Sequence, residues 1–311
     1  MHRQRTKLAK RVNRVASAVE RRGVVATYTI HERLLGNRSA RRHFASQEPK
    51  LDETQRGLVD ALDRDGYVTL PFTELFDEET WQAIEAQGAA FVAETERTIA
   101  EGGMGKVRAG KEFVVRAHSF EGVTLTAEDA WFSAIASRRL LDVANAYLRL
   151  WAKLSYVDLW YTAQQPPSDE RVASQNWHVD FDDKHLLKAF VYLSDVGPEQ
   201  GPFEYVPGSQ PGGRHHSVRP WVPMGYGRVD DADVAKSVPP DEIATFTGPK
   251  GTLILCNTSG LHRGGFATAG PRVLATATYC SPASLKALSN RNYDTPLADD
   301  ETDPVVRYAV S

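Results

Sequence analysis

The sequence predicts an α+β fold with a mainly β core: an antiparallel barrel or jelly roll with helices packed outside it. Three observations predict this. Strong helix-forming stretches fill the first 150 residues. Beyond residue 150 the apolar segments turn short and strand-like, with Gly and Pro between them. The 311 residues are 41% hydrophobic and 25% charged, an ordinary globular balance that excludes disorder along the whole chain and leaves ample material for a core.

Taken in order, residues 3–22 read as a basic amphipathic helix. Leu8, Val12, Val15 and Val19 form one stripe, and Arg3, Lys7, Lys10, Arg11, Arg14, Arg21 and Arg22 surround it. A second helical stretch is expected over residues 27–44. Residues 52–65 read as a helix closed by Gly66, followed by a strand over 67–70. Residues 78–100 are rich in helix formers and stop before Gly102-Gly103. A strand is expected at 112–117 and one or two helices at 127–148. The clearest later strands are 154–161, 186–194, 203–206, 252–256 and 273–279. Residues 208–241, rich in Gly, Pro, His and charge, read as a long connection of the kind that forms lids or binding loops.

Charge divides the chain more sharply than hydropathy. Residues 1–47 hold twelve Lys or Arg against Glu20 and Glu32, about +10, while the remainder is −13 and the total −3. The division expected is a basic helical arm over residues 1–50 and a catalytic domain over 51–311. Three readings of the arm stand open. It packs its apolar stripe on the acidic body, lies on an anionic membrane surface, or meets nucleic acid. The last is disfavoured because no interleaved aromatics or binding motif accompany the charge. Two cysteines are too few for a disulfide framework, so a reduced, cytoplasmic setting is expected. No apolar run reaches the roughly 18 residues of a membrane span, and no secretory signal is expected.

One constellation carries chemistry. In the extended run Trp177-His178-Val179-Asp180, residues two apart project to one side, so His178 and Asp180 point at one centre. His262, after the strand at 252–256 and a turn at 257–260, is the natural third ligand. Two imidazoles and a carboxylate with open positions opposite form the facial triad of non-haem Fe(II) oxygenases. Arg272 opens the following strand, and its planar fork matches the distal carboxylate of 2-oxoglutarate. Each piece alone has a bland reading: HxD arises by chance, a histidine is more often a surface or core residue, and an Arg at a strand start is usually in a salt bridge.

At these residues the chain resembles the phytanoyl-CoA dioxygenase family of Fe(II)- and 2-oxoglutarate-dependent oxygenases. The most specific match is residues 177–210, WHVDFDDKHLLKAFVYLSDVGPEQGPFEYVPGSQ. Residues 250–265, KGTLILCNTSGLHRGG, and 63–72, DRDGYVTLPF, add to it. The resemblance covers about residues 55–285. It implies a double-stranded β-helix (jelly roll, cupin-like) with flanking N-terminal helices. It also implies iron held by His178, Asp180 and His262, and 2-oxoglutarate held by Arg272.

Thr258, Gln175 and Lys188 are further candidate contacts to cosubstrate or ligands. Their bland readings are a turn cap, a loop hydrogen-bond donor and a solvated strand residue. Arg263 is a fallback for the carboxylate, although its side chain should point opposite to that of His262. With Asp180 present, halogenation is disfavoured. The reaction expected is hydroxylation of a small-molecule substrate with Fe(II), 2-oxoglutarate and O₂, releasing succinate and CO₂. The alternatives are desaturation, epimerisation or cyclisation by the same chemistry, or a non-enzymatic metal-binding jelly roll.

Overall fold

The helix expected over residues 52–65 forms as Glu53–Asp65, for reasons written in its ends. The Asp52 carboxylate accepts from the Gln55 amide and the Gln55 side chain accepts from the Asp52 amide, a reciprocal cap. Gly66, at φ +81°, stops the helix in the left-handed conformation that glycine adopts freely. The chain then enters the strand Tyr67–Pro71. The computed structural model describes residues 23, 25–103, 105–108, 111–118, 122–165, 171–223 and 228–311. The helix expected over 3–22 lies outside them.

Helix Glu78–Ala100 matches its expected span and is capped by Asp77. The stretch 127–148 is two helices, Ala130–Ala136 and Arg138–Leu148, separated at Ser137, whose backbone is extended (ψ 155°). These helices cover one face of a seven-stranded antiparallel sheet. Its order is Tyr67–Pro71, Thr252–Cys256, Leu186–Tyr192, Arg272–Cys280, Lys153–Thr162, Lys111–Arg116, Val107–Arg108. Strand alternation gives each face its character. Leu187, Ala189, Val191, Ala275, Ala277, Val157 and Leu159 pack outward against Ile84, Trp131, Phe132 and Leu140. The buried Trp131 indole donates to the Thr276 carbonyl at 3.0 Å, which locks helix to sheet.

The opposite face is where register builds the site. Thr278 pairs across Lys188 and Tyr156, Thr276 across Phe190 and Asp158, and Leu274 across Tyr192 and Trp160. This face looks onto a second, five-stranded sheet. Its order is Ala244–Phe246, Phe203–Tyr205, His262–Gly264, Trp177–His178, Arg228–Val229. Phe190, Tyr192, Ile254 and Leu274 from the first sheet meet Tyr205 and Phe246 from the second. Two antiparallel sheets closed face to face form the double-stranded β-helix. The long connection 208–241 is partly ordered structure: Arg228–Val229 pairs with Trp177–His178, and Val234 and Val238 pack with Trp177.

Residues 28–44, which the charge pattern assigns to the arm, pack on the body. A π-helical turn, His31–Gly36, leads into helix Arg38–Ser46. Ala40 is fully buried, His43 stacks on Trp151, and Asn37 accepts from the Ala283 amide at 2.9 Å. The buried Glu32 accepts from Arg41 and sits 2.8 Å from His185 Nε2. Burial alone would raise the Glu32 carboxyl, but His185 and Arg41 outweigh it and hold the pKa at about 2 rather than 4.5. A depressed folded-state pKa adds stability that is present above pH 4.5 and lost as pH falls toward 2. Glu32→Gln should therefore lower stability by on the order of 2 kcal/mol at pH 7, with the gap to wild type closing toward pH 2. Denaturant titrations of both proteins across that range check it; a gap independent of pH would contradict the assignment.

Candidate metal centre

His178 and His262 are direct Cα partners on neighbouring strands of the smaller sheet. Their rings lie 4.3 Å apart, and Asp180 joins them from two residues along the chain. Among the described residues these three form a group whose ligand atoms all lie within 4.8 Å of one another. The turn before His262 is tightly seated. Asn257 N donates to Gly66 O at 2.8 Å, Tyr205 donates to Asn257 O, and Asn257 Nδ2 donates to the Tyr147 hydroxyl. Gly260 is required there, because a Cβ would stand 2.1 Å from the Tyr205 hydroxyl.

The ring orientations are fixed from behind. His178 Nδ1 is 2.8 Å from Asn176 O, and His262 Nδ1 is 2.9 Å from Gly260 O. A carbonyl only accepts, so each Nδ1 carries the proton and each Nε2 presents a lone pair. Burial lowers both imidazole pKa values; that of His262 falls to about 3, with His178 beside it adding to the effect. Both rings are thus neutral at pH 7. The Asp180 carboxyl would be raised by burial, but Lys188 and the two imidazoles hold it below the usual carboxylate range. Asp180 N donates to Thr258 O at 2.7 Å, and Asp180 O accepts from the Trp221 indole at 2.9 Å.

Lys188 is not a solvated strand residue. Its side chain is half-buried at the cavity wall and its ammonium donates to Asp180 Oδ2 at 2.5 Å. Thr258 and Arg272 line the same cavity of about 110 Å³ as the three ligand candidates, together with Trp160, Phe190, Phe203 and Ile254. The Thr258 hydroxyl and Arg272 Nε are buried without a hydrogen-bond partner. Arg272 donates through Nη1 to Gly201 O, and among the described residues no carboxylate pairs with it. A buried guanidinium without a counter-ion is costly, and an incoming carboxylate would complete it. The donor set and these orphaned polar atoms therefore fit a metal with a 2-oxo acid beside it.

Gln175 falls outside the cavity: its side chain accepts from Val172 N and donates to Gln165, which matches the loop reading rather than cosubstrate contact. Arg263 faces away, ion-paired with Glu204 and Asp231 over the Trp177 ring. His185 is held by Glu32, and His215 lies 3.1 Å from Glu242. Sequence reasoning missed Tyr192 and the tether role of Trp221. Tyr192 shares a face with Lys188 and Phe190 by simple alternation, so that signal was present. A second cavity, of about 160 Å³, shares Lys111, Trp160, Asp180 and Lys188 with the first. It adds Arg116, Tyr156, Asp182, Thr276, Thr278 and Asn290, a predominantly polar lining.

A double-stranded β-helix with a His-Asp-His group inside its mouth defines a cupin-like metal-dependent oxygenase architecture. The pattern of the phytanoyl-CoA dioxygenase (PhyH) family matches residues 62–273, more than half of the chain, and the chain belongs to that family. It is an Fe(II)- and 2-oxoglutarate-dependent oxygenase, an oxidoreductase that uses O₂. No curated protein sequence matches it. Among solved structures it is similar to EctD from S. alaskensis with bound Fe. That likeness has 21% identity and a TM-score of 0.52, and covers 75% of this chain and 78% of that one. The same enzyme with 2-oxoglutarate and 5-hydroxyectoine gives 21% identity and a TM-score of 0.51, covering 75% and 77%. The epimerase SnoN in complex with Fe3+, alpha ketoglutarate and nogalamycin RO gives 19% and 0.48, covering 73% and 84%. At such identities the likeness speaks to fold alone. No helix among the described residues is long and apolar enough to cross a membrane.

Proposed function

We propose that this protein hydroxylates a small polar metabolite. His178, Asp180 and His262 hold Fe(II), and Arg272, aided by Thr258, holds the distal carboxylate of 2-oxoglutarate. The observation that carries the reading is the shared cavity: three ligand atoms within 4.8 Å line one space with a buried guanidinium that no acid among the described residues pairs. In balance, substrate, O₂ and 2-oxoglutarate become hydroxylated substrate, succinate and CO₂. The metal supplies open coordination positions and the oxidising power for C–H cleavage.

The chain's own residues do the rest. Asn176 O and Gly260 O hold the imidazoles in the ligating tautomer. Thr258 O and Trp221 fix the Asp180 backbone, and Lys188 orients its carboxylate. Trp160, Phe190 and Phe203 exclude water from the reacting side. The polar second cavity supports a compact polar substrate over a long acyl chain. EctD, similar in fold, holds the small molecule 5-hydroxyectoine in one of its structures.

The test is succinate release with Fe(II), 2-oxoglutarate and candidate substrates under ¹⁸O₂. Coupled turnover with one labelled oxygen in the product is expected. A product of unchanged composition, or one short of two hydrogens, would replace hydroxylation with epimerisation or with desaturation or cyclisation. Fe(II)-independent 2-oxoglutarate consumption would end the reading altogether.

A further inference from the structure

Six large apolar side chains are exposed among the described residues, and four of them lie on one short helical segment: Val25, Ile30, Leu34 and Leu35, at 38%, 57%, 61% and 71%. Ile30, Leu34 and Leu35 stand on the side of the segment away from the body. The other side of the same segment is tied to the body by Tyr28 donating to Asp183 at 2.8 Å, by Glu32 at His185 and Arg41, and by Asn37 at Ala283. Arg38 and Arg42, both exposed, follow on the next helix. Residues 1–22, immediately before the segment, bring eight Lys or Arg against the single acid Glu20.

An apolar strip with a dense basic flank has a specific complement. A second copy of the chain would cover the strip but would bring two +10 segments together. Nucleic acid would satisfy the charge and leave Leu34 and Leu35 in water. An anionic lipid surface satisfies both, since the apolar side chains enter the acyl boundary and the cations meet the headgroups. The −13 body is repelled by the same surface, which favours the orientation with Ile30, Leu34 and Leu35 toward the membrane. We infer that Ile30, Leu34 and Leu35, flanked in sequence by the basic run of residues 1–22, form a peripheral docking surface for anionic bilayers.

Sedimentation of the full chain with vesicles tests this, using phosphatidylcholine with or without about one third phosphatidylglycerol. Binding is expected with the anionic vesicles alone and should be lost at high salt. The exposed pair substitution Leu34→Glu/Leu35→Glu should weaken it at least about tenfold while leaving the melting temperature unchanged. Deletion of residues 1–22 should also weaken it. Equal binding by the Leu34→Glu/Leu35→Glu variant overturns the proposal, as does equal binding to neutral vesicles. So does a concentration-dependent dimer that the variant dissolves, without vesicle binding by either protein. None of these readouts involves turnover, so they stand or fall separately from the proposed reaction.

Discussion

Asp180→Ala is expected to reduce turnover by at least about 10³-fold, the loss that corresponds to roughly 4 kcal/mol of metal-supplied stabilisation. The substitution leaves two neutral imidazoles to hold the metal and removes the only anionic donor in the group. It also strands the half-buried Lys188 ammonium, which donates to that carboxylate. Removing one partner of a pair this far withdrawn from water leaves the other charge uncompensated, so the single variant should melt lower as well. The two effects separate in the Asp180→Ala/Lys188→Met double variant. With both charges gone, an apolar methionine fills the space and the melting temperature should return toward wild type. Turnover and metal binding should stay lost. Stoichiometric Fe(II) binding and full activity in Asp180→Ala would remove this residue from the metal centre.

That Lys188 needs such a control shows where sequence reading stops. In the run Leu-Leu-Lys-Ala-Phe-Val-Tyr, a lysine on the face opposite to Leu187 and Ala189 looks solvent-facing. The alternation was legible; the covering of both faces was not, because the second sheet is assembled from strands distant in sequence. The HxD pair was legible for the opposite reason: two ligands two residues apart need only an extended backbone to converge. His262 was suggested by its place after the strand at 252–256 and a turn, but no periodicity encodes that its strand pairs with Trp177–His178. Helix Glu78–Ala100 and strand Thr252–Cys256 fell where expected because each has its own end signals, an Asp cap or bounding glycines. Tyr28 and Trp221 carry no such signal. They meet partners 155 and 41 residues away, and no local pattern encodes those contacts.

Arg272→Met should separate a binding charge from a structural one by the sign of its effect on stability. A guanidinium kept for structure sits against a carboxylate, and its loss destabilises the fold. Arg272 is buried, donates to Gly201 O, and among the described residues has no acid beside it. An apolar side chain of similar length removes an uncompensated charge, so the melting temperature without ligand should be unchanged or higher. The KM for 2-oxoglutarate should nevertheless rise by roughly 10²–10³-fold, the equivalent of about 3–4 kcal/mol for a buried charge-assisted pair. The effect on kcat at saturating 2-oxoglutarate should be much smaller, because the contact is made equally before and during the reaction. Arg272→Lys should restore only part of the affinity, since an ammonium lacks the planar fork. A variant that melts lower yet keeps its KM would make Arg272 a structural residue. A variant that gains stability while losing cosubstrate shows that the fold tolerates an unpaired buried charge in order to leave it open for a carboxylate that arrives later.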